Sequence, residues 1–319
     1  MTLQTMNQTA EINHARHQLG RHSSSGEVVL AYLGAQATAL QSLIQPTRRN
    51  EPDSVHRMRV AARRLRSTLQ SFPMLLPKQA TRSLRDDLKW IGEVLGDLRD
   101  EEVLSARFER ELASAPAELV MGPARARVRA HFAPREAAAH GAALTALESP
   151  RFSDFLNDLR RLLEDPPFSN LAVAPAREVL PAAVGRAYRR ARRRMRHAKT
   201  LHPGAARDAA LHETRKAAKR TRYAAEAATP ACGKDARRFG RRMKSVQSAL
   251  GDHHDAVRAS AAAREIGVRA SLAGENAFSF GMLLERADHD AADSRAKAGK
   301  AWKRATRPKS LKWLGNITG

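Results

Sequence analysis

Two histidines head matched ladders of cations in this chain. His56, Arg59, Arg63 and Arg66 are spaced three, four and three residues apart, and His212, Arg215, Lys219 and Arg222 repeat that spacing. At about 100° per residue each set falls within about 80° of a helix circumference, giving a stripe roughly 15 Å long. Arg offers paired N–H donors that match phosphate oxygens, Lys a mobile ammonium, and a charged His one further donor. Like charges three and four apart cost a helix about 0.2 to 0.5 kcal/mol per pair, so the ladders are a liability unless an anion lies along them.

Further cations repeat the theme. Arg82, Arg85 and Lys89 share one helical face, as do Arg237, Arg241 and Lys244. Between Val184 and Arg222 there are fourteen Lys and Arg against two acids, and Arg189, Arg193 and Arg196 in this run extend the expected anion surface. The corresponding stretch from Tyr32 to Ile44 has none of these cations, so the stronger field is expected in the second half.

The elements that position these residues follow from a duplication. The segment Val55 to Arg66 aligns with Leu211 to Arg222 at an offset of 156, and Leu95-Gly96-Asp97-Leu98-Arg99-Asp100 aligns with Leu250-Gly251-Asp252-His253-His254-Asp255 at 155. Lys89 falls on Lys244, and Val28 and Ala31-Tyr32 fall on Val184 and Ala187-Tyr188. The same order at nearly one offset predicts a duplicated helical unit: two four-helix bundles related by approximate twofold symmetry. Met58, Ala61, Ala62, Leu65, Leu69 and Phe72 form the core-facing stripe of the His56 helix.

Composition agrees. The 319 residues hold 56 Lys and Arg against 33 Asp and Glu, a net charge of +23, with 42% hydrophobic and only 5% aromatic residues. An Ala- and Leu-rich apolar set with few β-branched runs predicts an all-α fold. Residues 1 to 25 read as a mobile polar tail, 26 to 307 as the helical domain with repeats of about 26 to 168 and 171 to 307, and 308 to 319 as a short basic tail. Pro166-Pro167-Phe168-Ser169-Asn170 is the expected linker between the halves. The N-terminal stretch has no apolar signal region, and no stretch is read as approaching the roughly 18 apolar residues of a membrane span, so none is expected. A single cysteine, Cys232, excludes an internal disulfide and favours a reducing, cytoplasmic setting.

The paired His-x-x-Arg ladders, each followed by a Lys-containing helix expected to end at Leu-Gly-Asp-x-x-Asp, resemble the CHAD family, the conserved histidine α-helical domain. The resemblance runs from about Glu27 to Thr306 and includes Leu147-Glu148-Ser149-Pro150-Arg151-Phe152 as a first-half ending. It implies basic residues around a central groove or pore, binding of inorganic polyphosphate, and association with polyphosphate granules. It also implies a stand-alone, phosin-like member, with His56 and His212, the helix cations, and Lys89 and Lys244 in the family's binding positions. Granule-associated proteins are further expected partners.

No catalytic residue, metal ligand or cofactor is expected. Asp252-His253-His254-Asp255 invites a metal reading, but the first-half equivalents of the two histidines are Leu98 and Arg99, so the repeat does not preserve a ligand pair. The four motif aspartates are read as helix caps or partners of nearby cations. Nonspecific nucleic-acid or general polyanion binding is the competing reading, since a charge of +23 attracts any polyanion; three Tyr and three Trp offer little for base stacking, and a third reading is an adaptor that docks acidic protein partners on the basic surface.

Overall fold

The structure is a computed structural model, and it describes residues 19–315. Among these there is no strand, only helices and short connections, as the Ala- and Leu-rich composition predicts. The first half contains α1 (Ser25–Gln41), the short α2 (Ile44–Arg48), α3 (Ser54–Ser71), α4 (Arg82–Ser114), α5 (Ala124–Glu148) and α6 (Pro150–Glu164). The second contains α7 (Ala176–Thr200), α8 (Ala205–Leu272), α9 (Phe278–Ala305) and the one-turn α10 (Pro308–Leu311). Helix α8 is two helices in one run: Gly233, at φ 63° and ψ −139°, breaks it three residues after Pro230. A left-handed φ of this kind costs glycine little. With that break α8 supplies the equivalents of both α3 and α4, and α1 and α5 correspond to α7 and α9.

Local chemistry sets the ends. Ser24 and Glu27 form a capping box at α1, each side chain accepting the other's backbone N–H. Ser149 caps α6, with Pro150 in its first turn. The starts of the equivalent helices α1 and α7 are tied together: Ser25 N donates to Ala174 O at 2.8 Å and Ala176 N to Ser23 O at 3.0 Å. Of the expected N-terminal tail, residues 1–18 lie outside the described residues, whereas 19–25 run into this pairing and Leu19 packs on the core.

The predicted core stripe of α3 is buried throughout, from Met58 to Phe72. The apolar core does not divide at Pro166-Pro167. One cluster runs through both halves, joining Leu33 and Leu65 to Val184, Tyr188 and Met243. A second joins the far ends of the α4–α5 and α8–α9 hairpins, with Phe108, Phe132, Ile266, Phe280 and Leu283. Ion pairs cross the same seam, Arg107 to Asp290 at 2.7 Å and Arg127 bidentate to Glu275 at 2.5 and 2.6 Å.

Two expectations are corrected. The Leu-Gly-Asp segments do not end helices: both lie inside them, because α4 runs on to Ser114 and α8 to Leu272, so their aspartates are not caps. The segment Ser25–Arg48 does reach the length and apolar composition of a membrane-spanning helix. Its large apolar residues Val28, Val29, Leu33 and Leu40 are buried in the core, which accounts for that composition without a membrane.

Candidate functional site

The two ladders face each other. Arg59 and Arg63 on α3, and Lys219 on α8, line two adjoining cavities, of about 450 and 190 Å³. The larger also takes in Arg66, Lys89, Arg190, Arg194, Lys216 and Arg220, with Glu93 and Glu213 as its acids. The smaller takes in His56, Arg99, Arg215 and Arg258, with Asp100 and Asp255. Cations outnumber acids in both, and each cavity draws on both halves of the chain.

Packing fixes the central cations. Arg59 Nη1 donates to Asp100 Oδ1 at 3.0 Å, and Arg258 from the second half reaches Asp100 Oδ2 at 2.9 Å, so one carboxylate holds guanidinium groups from both repeats. Arg63 Nε donates to the hydroxyl of buried Tyr223 at 3.1 Å, and Arg64 and Arg222 lie over the same ring at 5.7 and 5.2 Å. Such contacts select one orientation for side chains that otherwise sample many. Gly96 and Gly251 leave room for Arg59 and Arg215: a Cβ at either would lie 3.2 Å from a guanidinium nitrogen. Among the described residues, Arg66 Nε and Arg215 Nε are buried with no hydrogen-bond partner.

The field is large enough to displace protons. Burial, reinforced by Arg215, Arg63 and Arg59, pushes the Lys219 ammonium down to about 6. Burial and the neighbouring Lys216 and Arg215 bring His212 down to about 4. His254 packs on it at 4.0 Å between ring centroids and is brought to about 3, first by burial and then by His212 and Arg215. His56 is lowered by burial, opposed by Asp53. Burial likewise lowers Arg220 to about 10, helped by Arg190 and Arg66. A phosphate-bearing anion in this place would supply the negative charge that the cations lack.

The sequence-derived residues divide accordingly. His56, Arg59, Arg63, Arg66, Lys89, Arg215 and Lys219 line the cavities, and His212 stands beside them against His254. Arg222 is committed to Glu226 at 2.6 Å and Gln247 at 3.1 Å. Arg85 donates to the carbonyls of Thr81 and Lys78. Arg82, Arg193, Arg196, Arg237, Arg241 and Lys244 are exposed, Arg189 is half-buried, and none of them lines either cavity. The α7 face that does so carries Arg190 and Arg194, which helical spacing alone could not choose over its neighbours. Tyr223, Arg220 and Arg258 were also missed; Tyr223 directly follows the second ladder, where an aromatic beside a cation run was the available signal.

His253, half of the metal reading, is buried and doubly engaged: its ring nitrogens meet Ala291 O at 2.9 Å and Asp208 Oδ1 at 3.0 Å. It ties the two arms of α8 to α9.

The family model described as CHAD domain matches residues 31–264. Two uncharacterised proteins of Mycobacterium tuberculosis, Rv2226 and MT2285, are each 34% identical over 237 residues, covering 73% of this chain and 44% of theirs. The chain thus spans less than half the length of these relatives. Among solved structures, the CHAD domain from the plant Ricinus communis aligns at a TM-score of 0.63 and 26% identity, covering 94% of this chain and 93% of that one. PptA from Streptomyces chartreusis shares the fold at a TM-score of 0.73 and 24% identity, covering 88% of this chain and all of that one.

Proposed function

The chain belongs to the CHAD domain family, and from that premise we propose that its paired cavities bind inorganic polyphosphate without catalysis. The observation that carries this reading is the convergence of Arg59 and Arg63 with Lys219 on both cavities, and with Arg215 in the smaller. A flexible chain of closely spaced phosphates needs cations in series and no base-reading groups, and the ladders offer that. Asp100 is held between two guanidinium groups, and the rings of His212 and His254 are packed together, tilted by 44°, in a cationic field; these groups position and tune the cations rather than perform chemistry. In a cell the same grip would place the protein in the cytoplasm on polyphosphate granules, beside other granule proteins.

The net charge of +23 favours a second reading, a general polyanion or nucleic-acid surface. Competition separates the two. Labelled long-chain polyphosphate bound to the protein at about 0.15 M salt is challenged with unlabelled polyphosphate, duplex DNA or RNA at matched phosphate concentration. Displacement by polyphosphate alone is the expected result; equal displacement by nucleic acid overturns selectivity. Release of orthophosphate during the same incubation would overturn the non-catalytic assignment.

A further inference from the structure

A third basic cavity, of about 360 Å³, lies away from the central pair. Arg242 and Ser245 of α8 form one side; Lys297, Lys300 and Arg304 of α9, with Arg307 just beyond it, form the rest. No Asp or Glu lines it, and among the described residues none of these five cations is within 4.0 Å of a carboxylate. Lys297, Lys300 and Arg304 are three and four residues apart on one exposed face, an arrangement of like charges that a helix does not favour for its own stability. Arg242 is oriented by donating to the buried Ser310 Oγ of α10.

The duplication shows that this face is specific to the second half. Buried positions of α5 and α9 correspond at the offset of 155: Val128 with Leu283, Ala143 with Ala298, Leu147 with Trp302. At the same offset Arg242 and Ser245 correspond to Asp87 and Trp90. In the first half Arg151 of α6 closes that place, pairing with Asp87 at 2.8 Å and lying over Trp90 at 4.4 Å. In the second half α10 starts with a proline as α6 does but ends after one turn, and a cation, Arg242, stands where the first half has an acid. Lys297 to Arg307 also fall outside the residues 31–264 that match the family model.

We propose that this cavity is a second, independent site for a short condensed phosphate, either a free oligophosphate or a further stretch of a long polyphosphate chain. Only its ligand class rests on the polyphosphate reading of the central cavities. Two separated sites would let one molecule hold two chains, or two stretches of one, and so bridge polyphosphate as well as coat it.

Calorimetric titration of the full chain with tripolyphosphate at about 0.15 M salt tests this. The wild type is expected to titrate with two sites, and Lys297→Ala/Lys300→Ala/Arg304→Ala with one, the outer site weakened at least about tenfold. A central variant, Arg59→Ala/Arg63→Ala/Arg215→Ala/Lys219→Ala, is expected to keep the outer site. Since the three outer positions are exposed, circular dichroism should match the wild type; Lys300→Glu/Arg304→Glu provides a second variant with a stronger effect. An outer variant that titrates as the wild type overturns the inference, whatever the central variant does. Loss at the outer variant with none at the central one supports it and sinks the central assignment instead. With long-chain polyphosphate, a drop in stoichiometry in the outer variant identifies separate chains, and a drop in affinity at constant stoichiometry identifies one chain spanning both sites; each supports the site.

Discussion

Arg59 lies across Gly96, its guanidinium 3.2 Å from where a Cβ would stand, and Arg215 lies across Gly251 at the same distance. The glycine of each Leu-Gly-Asp segment is therefore a seat for the ladder arginine of the preceding helix. One turn further on, Asp100 fixes the first of these guanidinium groups, and Asp255 faces the second. Both glycines sit inside helices, where alanine is preferred by about 0.5 to 1 kcal/mol, so their presence costs stability that the seated arginine must justify.

Gly96→Ala and Gly251→Ala should consequently separate stability from binding. The obstructed atoms belong to a flexible side chain, so the fold survives and the melting temperature stays level or rises. Polyphosphate affinity should fall about tenfold for each, the size of one charge-assisted hydrogen bond misplaced. Thermal melts beside a titration check this, and unchanged affinity in both variants would mean that the guanidinium groups need no seat.

Binding should take up protons. Lys219, at about 6, is mostly neutral at pH 7 in the free protein, and a bound polyanion raises its pKa. Affinity therefore rises as pH falls from 8 toward 6 through Lys219, and on toward 4 through His212, which sits at about 4 when free. Calorimetry in two buffers of different ionisation enthalpy reads the uptake directly; zero net uptake at pH 7 contradicts it.

The same shifts set the stability of the ligand-free protein. A cation whose folded pKa is depressed penalises the native state fully below that pKa, and the penalty lifts as pH rises to the unfolded value. For Lys219 the window runs from about 6 to 10.5, and for His212 from about 4 to 6.5. The free protein should melt lower at pH 5 than at pH 8, and Lys219→Met should raise the melting temperature at pH 6 while weakening binding. A variant less stable than the wild type there would show that Lys219 has a structural partner.

The ladders were legible in the sequence because helical periodicity alone puts His56, Arg59, Arg63 and Arg66 on one face, and duplication supplied the second set. Which other cations join them was not. Arg190 and Arg194 differ from Arg189 and Arg193 only by rotation about α7, and the side of that helix that meets α3 is decided by packing across the halves. Arg237, Arg241 and Lys244 share a helical face by spacing, but they are exposed and none of them lines either cavity. The aspartates were misplaced as caps for a related reason: nothing near Asp100 or Asp255 announces that α4 and α8 continue for several more turns.

His253 shows how local chemistry can mislead about role. Its hydrogen bonds to Asp208 and Ala291 make it a buried tie, so His253→Ala should cost about 1 to 3 kcal/mol of stability by leaving a buried polar partner unpaired. Polyphosphate affinity at a temperature where the variant is folded should be unchanged. Added divalent metal should not shift the melting temperature of the wild type; a metal-dependent rise would restore the metal reading.

Removing the centre tests the site as a whole. Arg59, Arg63, Arg215 and Lys219 are half-buried side chains whose loss leaves the apolar stripe of Met58, Leu65 and their neighbours in place, so the quadruple alanine variant should keep its helicity. If each contacts phosphate, polyphosphate affinity falls at least about a hundredfold, and the slope of log affinity against log salt falls by about three, by analogy with single-stranded nucleic acid. The slope is the more telling number. A general surface field of +23 loses only a small part of its charge in this variant, so an unspecific binder would keep most of both affinity and slope. A large fall in affinity with an unchanged slope would instead mean that these side chains shape the cavities without touching the anion.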